Sequence, residues 1–266
     1  MSSKKYLEKL NFRILELNKE SKKSVETSVS NLESHLKNWD KFDTVVEYKA
    51  FGSFVRETNL PKCIDSTADV DYMIVFSTTD KKPQTYLNYV KEFVDIKYPK
   101  SKRYQDHPTI ALDLNNIKFE IMPAIRFWGN AFPGYNIPAP ASVVLEWINT
   151  YPQKLQEELD EADKRNDGML RPVIRLIKYW NVLNDKIMTS FRIEEYVINH
   201  VFVGCNDLAD YFLEAARFLS QVEALSDYKR QKLYGFTSKI EQAIKWRNLW
   251  NDASAEVILR KLLPEL

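Results

Sequence analysis

The chain has 266 residues, of which 44% are hydrophobic and 28% charged, with a formal net charge of +1. That length supports a large core and suggests two lobes, and that charge balance, ordinary for a globular enzyme, argues against holding nucleic acid through bulk charge. Two cysteines, Cys63 and Cys205, are too few for a disulfide framework or a Cys-rich zinc site; with no apolar run of membrane-spanning length and a polar start, "MSSKKYLEKLN", the expected setting is the cytoplasm, away from any membrane.

Residues 3–40 read as one long helix or a helix pair. Leu7, Leu10, Ile14 and Leu17 form an apolar stripe, continued by Val25, Val29, Leu32, Leu36 and Trp39 beyond the polar patch Glu20 to Ser24. "TVVEYKAFGS" predicts a strand, Val45 to Phe51, running into a glycine turn. Residues 54–68 read as loop or short helix, and 69–76 as a strand. "PQTYLNYVKEFVDIKY" predicts a helix with Tyr86, Val90, Phe93 and Val94 on one face. The basic cluster "KYPKSKRY", 97–104, reads as a surface loop. "TIALDLNNIKFEIMPA" predicts a β-hairpin: strand Ile110–Leu114, turn Asn115-Asn116, strand Ile117–Met122.

From Ser142 onward the pattern is helical, with a break near Asn166-Asp167-Gly168 and further helices at about 192–202, 206–223, 236–250 and 253–263. The charge run Glu157 to Lys164 reads as a solvated helix face. The fold class expected is therefore α/β in the α+β sense: a catalytic-type lobe over 1–165 with a mixed sheet, then a helical lobe over 166–266, with the N-terminal helix bracing both.

In "FGSFVRETNLPKCIDSTADVDYMIVF", Asp69 and Asp71 open an otherwise greasy strand. Alternate strand residues face one side, so both carboxylates point one way, an arrangement that wants a cation. Such aspartates also cap turns or sit in water, so the pair alone is weak. On "IKFEIMPA", Ile117, Phe119 and Ile121 share one face and Lys118, Glu120 and Met122 the other, which places Glu120 in mid-strand; an edge strand with Glu120 in water is the bland alternative. With the Asp-x-Asp strand it makes a three-carboxylate set suited to Mg²⁺. Asp113 is a rival, but counted out from the turn it faces Lys118 and reads as a cross-strand ion pair. "RPVIRLIKYWN" puts Arg171, Arg175 and Lys178 on one helix stripe, which also describes a basic solvent face. Tyr179 and Trp180 read as core, Phe191 and Tyr196 as possible base-stacking residues, and His35, His107 and His200 as structural or surface residues without metal-ligand spacing.

Gly52-Ser53, Asp69-x-Asp71 and Glu120 in "FEIMPA" resemble the signature of the DNA polymerase β-type nucleotidyltransferases. With "LRPVIRLIKYWN", "TSFRIEEYVIN" and "AIKWRNLWNDASAEVILRKLLP", the chain is similar over roughly 45–264 to the branch holding oligoadenylate synthetase, cyclic GMP-AMP synthase and the bacterial second-messenger oligonucleotide or dinucleotide synthetases. The resemblance implies attack of a hydroxyl on the α-phosphate of a nucleoside triphosphate, ATP or dATP favoured, with release of pyrophosphate. It implies Gly52, Ser53 and Thr58 around the phosphates and two Mg²⁺ ions, replaceable by Mn²⁺, on Asp69, Asp71 and Glu120. It also places Lys178 with Ser190 on the β- or γ-phosphate, Arg175 being a weaker candidate. Many relatives carry aspartate where this chain has Glu120, one methylene longer. The product implied is a cyclic or linear oligonucleotide signal in anti-phage defence, under the control of a protein effector. Transfer of single nucleotides to tRNA or protein, or a silent nucleotide-binding module, are the alternatives.

Overall fold

The computed structural model describes residues 2–39, 44–77, 80–106, 108–115, 117–128, 133–139, 146–219 and 226–266. His107, Asn116 of the expected turn, the helix start at 142–145 and the end of the helix expected over 206–223 lie outside them. The chain forms two compact units, residues 19–157 and residues 1–18 together with 158–266. The boundary thus falls at 157/158 rather than at 165, and the first eighteen residues belong with the later helices.

α1 is a single helix, Ser3–Lys37, not a pair: its polar patch contains no Gly or Pro to break it. Tyr6, Leu7, Leu10 and Ile14 are buried within the helical unit, while Val25, Leu32 and Leu36 join the core of the sheet unit.

The sheet unit contains β1 (Val45–Phe51), the short helix α2 (Gly52–Val55), β2 (Asp69–Phe76), α3 (Pro83–Lys97), β3 (Lys102–Asp106), β4 (Thr109–Asp113), β5 (Lys118–Trp128), β6 (Pro133–Pro138) and β7 (Trp147–Thr150). Their order is β1-β2-β5-β4-β3, with β6 paired to β5 and β7 to β6. β2 and β5 are parallel and every other pair is antiparallel. The period-two pattern decides the faces. Val70, Tyr72, Ile74 and Phe76 of β2 and Phe119 and Ile121 of β5 bury one face against α1 and α3; Met73, Val75, Met122 and Ala124 form a smaller cluster on the other with Tyr135 and Ile137.

Two expectations are corrected here. Residues 102–106, expected as part of a surface loop, form an edge strand paired to β4. Residues 147–150, expected as helix, are strand because β6 offers them an edge. β6, "PGYNIP", crosses close to β5: a Cβ on Gly134 would lie 2.3 Å from the Phe127 ring.

The helical unit holds most of α4 (Pro152–Arg165), then α5 (Leu170–Leu183), α6 (Ser190–Asn199), α7 (Leu208–Arg217), α8 (Asp227–Asn248) and α9 (Asp252–Leu262). α8 begins nine residues before the expected 236. The break at 166–168 is present, with Asp167 and Gly168 at positive φ. Asp163, inside the charge run, is buried and accepts the backbone N–H of Leu170 at 2.8 Å, capping α5. Tyr179 and Trp180 are core, as read, with Trp180 stacked on Phe236.

Candidate active site

The site begins where β1 ends. Phe51 lies opposite Asp71 in the β1–β2 ladder, and the chain turns at Gly52 into α2. Gly52 sits at φ +77°, and a Cβ there would fall 1.8 Å from Asp71 Oδ2. Only glycine gives both the left-handed backbone and the room for that carboxylate. The Ser53 hydroxyl, half-buried, makes no hydrogen bond among the described residues, and the Ser53 carbonyl accepts the backbone N–H of Thr58 at 3.0 Å. Thr58 is fully buried, so it fixes the return of the loop behind Ser53.

On the parallel β2–β5 pair, Asp71 stands opposite Glu120 and Asp69 opposite Lys118. Partners across a ladder project to the same side. The register therefore gathers Asp69, Asp71, Lys118 and Glu120 on the face opposite the main core, as the alternation in "FEIMPA" requires. The Lys118 Nζ donates to Glu120 Oε1 at 2.6 Å.

Electrostatics follows from that crowding. Burial, then the charges of Asp71 and Glu120 and a hydrogen bond with Glu120, push the Asp69 carboxyl up to about 8; Lys118 offsets only part. Burial pulls the Lys118 ammonium down, but the hydrogen bond and charge of Glu120 outweigh it and leave the group raised. An acid that ordinarily ionises near 4 is thus raised by burial first and by neighbouring like charge second.

The donor chemistry, carboxylate oxygens alone, fits a hard divalent cation. No set of three or more His, Cys, Asp or Glu side chains already converges as an ion cage among the described residues. The reason is visible at Glu120, whose carboxylate is engaged by Lys118. Asp113 does lie opposite Lys118, but the ion pair expected between them is absent. Lys118 turns along its own strand to Glu120, and Asp113 accepts from Lys62 at 3.2 Å instead.

In the helical unit, Arg171, Arg175 and Lys178 are not a solvent face. Arg171 bonds Asp160 and Asp163; the buried Arg175 donates through Nε to Asn11 Oδ1 at 2.9 Å; and Lys178, also buried, pairs with Glu194 on α6. Glu194 escaped the sequence reading, although an acid beside Ile193 and Val197 on an apolar stripe is the signal of a buried partner. Ser190 is exposed on the first turn of α6, whose cap is Thr189, accepting the Arg192 N–H at 3.3 Å. Phe191 is half-exposed, and the Tyr196 hydroxyl donates to the Ala215 carbonyl. His35 pairs with Tyr98 and His200 sits among Tyr196, Phe202 and Phe218. No helix among the described residues is long and apolar enough to cross a membrane.

Known proteins resemble this chain in sequence and in fold. A probable cyclic nucleotide synthase of Bacillus cereus (strain VD146) is 26% identical over 209 residues, 65% of this chain; the match spans 61% of that relative's length. The fold is similar to that of Escherichia coli CdnC solved with ATP (TM-score 0.64, 14% identity, 92% of this chain and 91% of that one). It is equally similar to that of Bradyrhizobium diazoefficiens CdnG solved with GTP (TM-score 0.64, 13% identity, 96% of each chain). Residues 1–164 match the model of the Second Messenger Oligonucleotide or Dinucleotide Synthetase domain, and the chain belongs to that family.

Proposed function

We propose that the protein is a metal-dependent nucleotidyltransferase that joins nucleoside triphosphates into a cyclic or linear oligonucleotide signal. The observation that carries this reading is the register that sets Asp71 against Glu120, with Asp69 two residues before on the same face and Gly52 packed on the Asp71 carboxylate. An acceptor hydroxyl attacks the α-phosphorus, the bond to the leaving pyrophosphate breaks, and the hydroxyl proton passes to solvent water. Asp69, Asp71 and Glu120 hold the cations, and Gly52 and the Ser53 hydroxyl contact triphosphate oxygens. Held by those carboxylates, two Mg²⁺ ions, or Mn²⁺ in their place, would lower the pKa of the attacking hydroxyl and offset charge on the pyrophosphate. Ser190, exposed on α6, is the phosphate contact this reading keeps in the helical unit; Lys178 is buried in its pair with Glu194 and takes no phosphate there, and Arg175 serves chiefly to bind α1 through Asn11.

The relatives solved with ATP and GTP support triphosphate substrates, and ATP or dATP are the first to try. A cytoplasmic role in anti-phage signalling, switched by a protein effector, is the biological setting this reading fits. The test is incubation with each labelled NTP and dNTP with Mg²⁺ or Mn²⁺, products being separated by chromatography and mass. A phosphatase-resistant or oligomeric product that disappears in Asp69→Asn/Asp71→Asn is expected. Label transferred instead to added tRNA or protein would overturn the signal-synthesis reading.

A further inference from the structure

Lys118 is the feature of the site that neither the triphosphate nor the fold requires. It lies two residues before Glu120 on the same face of β5 and opposite Asp69 on β2. Its cross-strand neighbour on the other side is Asp113, yet that acid is taken by Lys62. The ammonium is directed instead to Glu120 Oε1 at 2.6 Å, with both side chains largely buried, at 16% and 24% exposure. A lysine so placed spends its flexible stem and a strongly hydrated charge on one carboxylate, and it does so on the acid that would complete the ion site.

We propose that Lys118 is a built-in counter-ion that occupies Glu120 in the metal-free protein, so that a divalent cation recruits the third carboxylate only by displacing the ammonium. The inference rests on the reading of Asp69, Asp71 and Glu120 as the metal-holding set. Its consequence is weak binding of the free ion. An ion arriving with a triphosphate brings extra oxygen ligands and gains the advantage, so the lysine couples metal capture to substrate capture. Lys118 is in this sense a positioning residue, acting through Glu120.

The experiment is a titration of the full-length, nucleotide-free protein with Mn²⁺, free ion being followed by electron paramagnetic resonance. It compares wild type, Lys118→Met, Lys118→Gln, Lys118→Arg and Asp71→Asn, with folding checked by circular dichroism. Lys118→Met and Lys118→Gln should bind Mn²⁺ about tenfold more tightly, a change of about 1.4 kcal/mol, and Lys118→Arg should stay near wild type because the charge remains. The metal-free Lys118→Met protein should also melt several degrees lower and recover with Mn²⁺ at concentrations that leave wild type unmoved. If Met and Gln variants that fold bind Mn²⁺ no better than wild type, while Asp71→Asn abolishes binding, the counter-ion role is wrong and the metal site stands. If Asp71→Asn binds Mn²⁺ as wild type does, the metal reading fails and the inference with it.

Discussion

Two clusters in this molecule have the same ingredients, three acids and one cation, and opposite character. In the helical unit Arg247 pairs with Asp207, Asp210 and Asp252. Each of those acids also sits at a helix N-terminus. Asp207 caps α7 by accepting the N–H groups of Ala209 and Asp210, Asp210 accepts that of Asn206, and Asp252 in the first turn of α9 accepts the Ser3 N–H at 2.8 Å. Backbone donors and helix dipoles supply the positive charge that one arginine lacks. In the sheet unit Asp69, Asp71 and Glu120 lie on one face with Lys118, which pairs with Glu120, and they sit on strands rather than at helix N-termini. There burial, then the charges of Asp71 and Glu120, push the Asp69 carboxyl up to about 8. A self-sufficient acidic cluster is architecture; one whose half-buried acids crowd one another is prepared for a ligand.

The largest effect should come from the strand cluster. Asp69→Asn/Asp71→Asn is expected to lower product formation at least a thousandfold, about 4 kcal/mol of transition-state stabilisation. The same change should leave the metal-free melting temperature equal or higher, because it removes like-charge repulsion. A variant that melts clearly lower would show that these acids are structural. Glu194→Ala should do the reverse. It strands the buried Lys178 ammonium and should cost about 3–5 kcal/mol of stability in a denaturant titration; loss of under about 1 kcal/mol would mean that water reaches the lysine.

How much of this was legible beforehand depended on range. The acids, the strand faces and the helix order follow from periodicity, which is local. Alternation along each strand puts Asp69 with Asp71 on one face of β2 and Lys118 with Glu120 on one face of β5, and the β2–β5 register brings the two pairs together. What failed depended on which neighbour arrived. Lys118 has Asp69, Asp113 and Glu120 around it; in the fold it takes Glu120, while Asp113 is taken by Lys62. Residues 147–150 and 102–106 have no strong strand pattern of their own and are strands because β6 and β4 present free edges. The crowding of Gly52 by Asp71 likewise needs the β1–β2 register, which no reading of "FGS" contains.

The helical cluster makes the third prediction. Asp207→Ala removes an N-cap and one partner of Arg247, and should cost about 1–2 kcal/mol. Product formation per folded molecule should remain, in contrast to the strand acids; a catalytic loss as deep as theirs would erase the distinction between the two clusters.

The smallest effect belongs to pH and to His200. Burial holds the His200 imidazolium below its ordinary value, against the upward pull of Glu214 at 3.8 Å. A base whose pKa is depressed by folding binds fewer protons folded than unfolded. Its contribution to stability is therefore present above the unfolded value near 6.5 and is lost as pH falls through the folded one. Aspartates and glutamates elsewhere titrate over part of the same range, so the difference between two proteins is the quantity to read. Melting temperatures of wild type and His200→Gln should be compared between pH 7.5 and 5.5, where wild type should lose slightly more on acidification. Equal slopes would mean that His200 takes up its proton without cost, with Glu214 closing on the ring; the ring among Tyr196, Phe202 and Phe218 would then be an open, wet site rather than part of the packed interior.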